Sequence, residues 1–308
     1  MSQPGEVVPS GFRAPAGPLR GLVSYHGYDV RGIAPGRHRG LPSPYLTLVV
    51  TFGPELELER PDGGRDRFAA CVGGLHQVPE RIIHDGRQSG VHLTVHPLAA
   101  RALFGLPAAE LATVTVEAAD VLGSAGRELA VRIADTEDAG WDARFAALDD
   151  VLLRLLRRYD AAVPDAADEV RHAWGVLTAP EPAGVGALAR DVGWSGDHLG
   201  RRFRAEFGVG PKVAARMARF DRARREVARR AGDGPLALAD VAATHGYADQ
   251  AHLAREFRAL AGCSPSRWVD EEVRTGMAGG SDDLDAGLGP DVGFVQDPRP
   301  VRPPSSAA

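Results

Sequence analysis

The sequence predicts an α+β N-terminal domain, a small β-sheet or barrel followed by helices. After it comes an all-α C-terminal domain with two helix-turn-helix units joined by a long helix. Three observations predict this. Short segments before residue 97 alternate apolar and polar residues with the period of a strand. Beyond that point the apolar period becomes helical. Between residues 189 and 265 one helical pattern is written twice.

The strands come first. YLTLVVTF (45–52) sets Leu46, Leu48, Val50 and Phe52 on one face. ELELE (55–59), FAACV (68–72) and GVHLTVH (90–96) are further candidates, separated by glycine-rich joints. PLAARALFG and GSAGRELAVRIAD then read as helices. WDARFAALDDVLLRLLRRY (141–159) is strongly amphipathic, with Phe145, Leu148, Leu152, Leu155 and Tyr159 on one stripe. That stripe is also a candidate dimer face.

The repeat aligns ARDVGWSGDHLGRRFRAEFGVGP (189–211) with AATHGYADQAHLAREFRALAGCSP (242–265). In each copy a small residue, Ala189 or Ala242, lets two helices cross closely. Gly193 or Gly246 takes the turn that a Cβ resists. Ser195 or Asp249 can cap the next helix. Leu199 and Phe203, or Leu253 and Phe257, lie one helical turn apart on the inner face. Gly208 and Gly262 stop the second helix, and Pro211 and Pro265 suit the first turn of the next. A repeat that only packed would have no need of arginine on both outer faces, yet these carry Arg201, Arg202 and Arg204, then Arg255 and Arg258.

Between the copies, VGPKVAARMARFDRARREVARRAG keeps Val213, Met217, Phe220 and Val227 at helical spacing. Its other face is basic. From residue 190 to residue 230 there are 12 basic and 5 acidic residues, in a chain whose net charge is −5. Positive charge is therefore local, and local charge is what meets phosphate. A solvated helix face accounts for part of the arginine run, and phosphate contact for the remainder.

These residues resemble the DNA-binding domain of the AraC/XylS family of bacterial transcription regulators. The resemblance covers roughly Asp168 to Glu272 and rests on GWSGDHLGRRFRAEFGVGPK, the following RFDRARR, and GYADQAHLAREFRALAGCSPSRW. It implies seven helices, with two recognition helices in successive major grooves about 34 Å apart. By position it implies base contacts from Asp197, Gly200 and Arg201 in the first unit, and from Gln250, Ala251, Ala254 and Arg255 in the second. Arg201 and Arg255 have the chemistry for guanine and Gln250 for adenine. Gly200 reaches nothing, and Asp197 repels phosphate unless it caps the helix or accepts from cytosine. Ser195, Arg202, Arg204, Lys212, Arg225 and Arg258 are the candidates for phosphate.

The first half, through HRGLPSPYLTLVV, VGGLH, HDGRQSGVHLTVHPLAARALFGLPAAEL and the Trp141 helix, resembles the N-terminal domain of an actinobacterial branch of AraC-type regulators. The resemblance implies that this half senses a small molecule, dimerises, or both.

Catalysis is the alternative for the first half, as an enzyme fused to a DNA-binding domain. Cys71 is its one cysteine, too few for a zinc-held cluster, and VGGLHQVP after it gives no helix start for a nucleophile. GxSxG and P-loop motifs do not occur. His76, His84, His92 and His96 are spaced as hydrogen-bonded or surface histidines rather than as a compact metal motif. HDGRQSG (84–90) is either a polar loop over a pocket or a plain turn. No cofactor or metal is expected.

The expected organisation is a disordered residue 1–20 segment, a sensing or dimerisation domain over 21–160, a linker over 161–169, the DNA-binding domain over 170–275, and a disordered tail over 276–308. The expected partners are double-stranded promoter DNA, RNA polymerase, a small-molecule effector and a second copy of the chain, but no membrane. The start of the sequence lacks the apolar core of a signal peptide, so a cytoplasmic protein is expected.

Overall fold

The protein is described by a computed structural model covering residues 7–8, 11–60, 62–136, 140–159, 162–233 and 236–273. The expected disordered tail lies outside the described residues.

Among the described residues ten strands form two antiparallel sheets. The larger contains β1 (Val7–Val8), β2 (Val23–Val30), β4 (Leu46–Thr51), β7 (Ala70–Gly73), β9 (Gln88–Val95) and β10 (Thr115–Glu117), in the order β1-β2-β9-β4-β7-β10. The smaller contains β3 (Gly36–Gly40), β5 (Leu56–Glu59), β6 (Arg65–Phe68) and β8 (Glu80–His84), in the order β3-β8-β5-β6. Period-two alternation sends Leu46, Leu48 and Val50, with Val91, Leu93 and Val95, to one face of the larger sheet, where all are fully buried. Thr47, Val49, His92 and Thr94 point the other way, into a cavity of 240 Å³ between the sheets.

FAACV, expected as one strand, is broken at Ala69. Phe68 ends β6 in the smaller sheet and Ala70 begins β7 in the larger. The carbonyl of Ala69 accepts from Thr51 N and Thr51 Oγ1 at this corner, where the chain changes sheets. HDGRQSG is a hairpin turn between β8 and β9, with Arg87 N donating to Asp85 Oδ1. Only its last part, at Gln88, reaches the cavity.

Helices α1 (Ala100–Phe104), α2 (Ala118–Leu122), α3 (Ser124–Ala134) and α4 (Gly140–Tyr159) follow. The α4 stripe of Phe145, Leu148, Leu152 and Leu155 is at most 3% exposed, within the core shared with the larger sheet. It is used inside the molecule, so it no longer argues for a dimer. Trp141 lies so close to Gly27 of β2 that a Cβ there would stand 2.0 Å from its ring. Residues 11–20 differ from the loose segment expected. Leu19 is fully buried, and Arg13 pairs with Asp149, which also accepts from Tyr25 OH at 2.7 Å. An apolar anchor and an ion pair 136 residues apart hold this segment down.

The C-terminal helices among the described residues are α5 (Asp168–Thr178), α6 (Val185–Asp191), α7 (Gly196–Phe207), α8 (Pro211–Asp233), α9 (Leu238–Thr244), α10 (Gln250–Ala261) and α11 (Pro265–Trp268). The hydrophobic cores do not divide at residues 161–169. One core runs from the larger sheet through α5, α6 and α7 to Met217, and a second gathers Phe220 to Val269. The boundary between cores falls inside α8, and the first helix-turn-helix unit shares the core of the N-terminal domain. Trp174 of α5 joins them, stacked on Phe203 (5.8 Å between centroids) and tilted against Phe207 (4.3 Å), with His96 edge-on at 6.3 Å.

Burial disfavours the charged imidazole, and it pushes His26, His38 and His96 down to about 4 and His92 to about 3. Unfolded, these groups titrate near their ordinary value of about 6.5, so below it the unfolded chain binds more protons. Their contribution to stability is complete above about pH 6.5 and is lost progressively as pH falls towards the folded values. The urea midpoint is expected to fall between about pH 6.5 and 5, above the range of ordinary carboxylates. A flat midpoint across that window would contradict the buried neutral state.

Candidate nucleic-acid interface

Each helix-turn-helix unit is fixed by local interactions that recur in the other. In the first, Gly193 adopts φ +71° and Trp194 N donates to Ala189 O at 2.8 Å. In the second, Gly246 adopts φ +68° and Tyr247 N donates to Ala242 O at 2.9 Å. Both glycines occupy the left-handed region, where a side chain is strained. His198 N donates to Ser195 Oγ at 3.2 Å and His252 N to Asp249 Oδ1 at 2.6 Å, each capping one orphan donor of the following helix. His198 meets Trp194 edge-on at 4.7 Å, and His252 meets Tyr247 edge-on at 5.2 Å. The two histidines thus pack the turns. Leu199, Phe203, Leu253 and Phe257 are fully buried, and Ala189 and Ala242 are buried at the crossings.

The opposite faces are open. On α7, Asp197, Arg201, Arg202 and Arg204 are exposed, whereas Gly200 is buried. On α10, Gln250, Ala251, Arg255 and Arg258 are exposed and Ala254 is half-buried. Ser195 and Lys212 are exposed at the approaches to α7 and α8. Each set lies on one helix face, with capped N-termini suited to an anionic partner.

The arginines of α8 are largely spent within the protein. Arg216 makes a two-pronged pair with Glu256 (2.8 and 3.0 Å), and Arg219 stacks over Tyr247. Arg222 donates to Thr178 O at 2.6 Å, and its burial lowers its pKa. Arg229 and Arg230 hold Glu226, whose carboxyl they depress to about 2. Arg225 departs from the phosphate role expected of it. Its side chain is 15% exposed, pairs with Asp221 at 2.7 Å, and lines the end of the cavity between the sheets. A helix packed on two sides turns part of its basic face inward, and residue spacing alone does not reveal which part.

Several positioning residues escaped the sequence reading. Glu256, the one acid of α10, ties that helix to α8 through Arg216. Glu206, buried on α7, accepts from Arg101 Nε and Nη2 of α1, both at 2.8 Å. Arg39 of β3 pairs with Glu271 at 2.9 Å and with buried Glu272, which also accepts from Trp268 Nε1 at 3.0 Å. A lone acid on a basic helix is a weak local signal for Glu256, whereas α7 carries Asp197 besides Glu206, so nothing local singles out Glu206. The Arg39 contact spans more than 230 residues and has none.

The first unit is therefore joined to the sheet domain by a shared core, whereas the second is held chiefly by the Arg39 latch and the packing of Leu41. Arg39→Ala would leave Glu272 buried without its cation. Amide hydrogen exchange is expected to speed up in α10 and α11 while α7 keeps its rate. An unchanged rate in the second unit would remove the latch.

Among the described residues no group of three or more His, Cys, Asp or Glu side chains could hold a metal ion, and no helix is long and apolar enough to cross a membrane. Cys71 is 2% exposed, and burial pushes its thiol up to about 12, which leaves little thiolate at neutral pH.

Residues 188–271 match the family model described as a helix-turn-helix domain. Among solved structures, the chain is similar to ToxT from Vibrio cholerae at 9% identity, covering 81% of this chain and 98% of that one with a TM-score of 0.46. It is similar to ToxT from Vibrio cholerae O395 at 10% identity, covering 84% and 99% with a TM-score of 0.46. ToxT from Vibrio cholerae strain SCE256, bound to an unsaturated fatty acid, gives 10% identity, 84% and 97% coverage and a TM-score of 0.45. No curated protein matches the chain. The family match and the two capped units that share one long helix together identify residues 188–271 as a helix-turn-helix domain.

Proposed function

We propose that the protein is a sequence-specific, DNA-binding transcription regulator whose two recognition helices, α7 and α10, read successive major grooves, and whose N-terminal domain senses a small molecule. The observation that carries the reading is the duplication of one capped, arginine-faced helix at both ends of a single rigid helix. Arg201, Arg255 and Gln250 are the side chains with chemistry for base edges. Asp197, Ala251 and Ala254 complete the faces that would lie against bases. Ser195, Arg202, Arg204, Lys212 and Arg258, all exposed, would meet phosphate. The cavity between the sheets supports sensing over dimerisation alone, since the stripe that suggested a dimer is consumed in the core. A second copy and RNA polymerase remain partners that the regulator reading suggests, as does a cytoplasmic location.

The test is selection from a randomised duplex library with the full chain at modest ionic strength. One enriched motif with two parts, bound with an affinity that falls steeply with salt as counterions are released, is the expected result. An unenriched library would end the reading. A catalytic first half draws no support from Cys71, which is buried and held as the thiol.

A further inference from the structure

We propose that the cavity between the sheets is a binding site for a small uncharged molecule with a compact apolar body and a group, such as a hydroxyl or amide, that both donates and accepts hydrogen bonds. This deepens the sensing role proposed above and rests on it.

The space lies between β2, β4, β7 and β9 on one side and β3, β5 and β8 on the other, and α8 and α11 border its end. Its 240 Å³ is far beyond the roughly 10–15 Å³ that one water needs. Val49, Leu56, Leu58 and Ile82 supply apolar wall. His26 and His92 supply the polar floor. They face each other as direct partners in the β2–β9 ladder, with rings 5.4 Å apart. Neither imidazole has a hydrogen-bond partner among the described residues; Nδ1 of each is shut away from the space, and the rest of each ring lines it. Buried polar groups in folded proteins are ordinarily satisfied, so the pair is a place where a ligand would add bonds and displace none.

The charge of the ligand follows from the remaining wall. Its cations already face carboxylates of the protein: Arg39 faces Glu271 and Glu272, and Arg224 and Arg225 face Asp221 at 2.5 and 2.7 Å. The carboxylates are likewise engaged, Glu272 by Arg39 and Trp268, and Glu80 by the Thr115 hydroxyl at 2.6 Å. A charged ligand would give up much of its hydration and then compete with pairs already made, a net cost in a partly enclosed site. Burial keeps both floor imidazoles neutral, each with one donor and one acceptor. An uncharged ligand that both donates and accepts is the complement of such a floor. Because Arg224, Arg225, Trp268 and Glu272 belong to the DNA-binding domain, whatever fills the space touches both parts of the chain.

The experiment titrates full-length protein by calorimetry with four probes on one ring: cyclohexanol, cyclohexanecarboxamide, cyclohexanecarboxylate and cyclohexylammonium. The two uncharged probes are expected to bind, and the two charged ones to bind about tenfold more weakly or worse, a difference of about 1.4 kcal/mol. His92→Leu is expected to weaken the uncharged probes by about the same tenfold factor. His26→Gln, which keeps a donor and an acceptor, is expected to weaken them less and guards against a folding defect in the first variant. Equal or tighter binding of a charged probe, no loss in His92→Leu, or no binding by either uncharged probe would each overturn the proposal. The DNA selection on the same preparation separates the two ideas: an enriched motif without probe binding removes the ligand assignment alone, and probe binding without a motif removes the regulator reading.

Discussion

Replacing Trp174 by alanine is expected to destabilise the protein by about 3–5 kcal/mol, the range for truncating a large buried aromatic. Trp174 is 2% exposed and touches both sides of the junction, His96 from the sheet domain and Phe203 and Phe207 from the first recognition helix. Its removal would leave a cavity at the seam of the larger core, where Arg101 and Glu206 also meet. Sheet domain and first unit should therefore lose stability together in urea unfolding, as one cooperative body. Phe257→Ala, in the separate core of the second unit, should leave the transition of the first body in place. A Trp174→Ala protein whose midpoint barely moved would show that the first unit does not depend on the seam.

Arg255→Ala is expected to cost about 1–3 kcal/mol of discrimination at one base pair, the worth of one bidentate contact. Arg258→Ala should instead weaken all sequences alike and lower the slope of affinity against salt by about one, as the loss of one phosphate contact does. Both side chains are exposed on α10, three residues apart, and only Arg255 holds the position implied for base contact. The measurement is affinity for the selected site, for single-base variants of it, and for unrelated duplex at several salt concentrations. Equal losses on every duplex for both variants would end the assignment of direct readout to Arg255. In the first unit Gly200 is buried and offers no side chain to a base, so Arg201→Ala should show the sharper of the first-unit effects.

Much of the DNA-binding domain was legible because its determinants are local. A cap three residues from its donor, a glycine four residues after a small residue, and a leucine and a phenylalanine one turn apart are set by neighbours in the chain. Ser195 and Asp249, Gly193 and Gly246, and both Leu–Phe pairs stand in the expected places. The strands were legible through alternation, although the corner at Ala69 was not, since a change of sheet leaves the alternation almost intact. The fate of Arg225 was not legible either. Phosphate-facing and protein-facing arginines of one helix look alike until the partner surface is known.

The sequence by itself determined the element types, the duplicated reading units and the residues they expose, because helix period, capping and turn chemistry act over a few residues. Only the tertiary structure decided that the first unit shares the core of the sheet domain while the second hangs on Arg39. Only it decided that the α4 stripe is consumed inside, and that His26 and His92 meet over a cavity roofed by the DNA-binding domain. The physical reason is range. These contacts join residues scores to hundreds of positions apart, and burial, which holds the histidines neutral and makes the ion pairs matter, is a property of the packed whole rather than of any local stretch of chain.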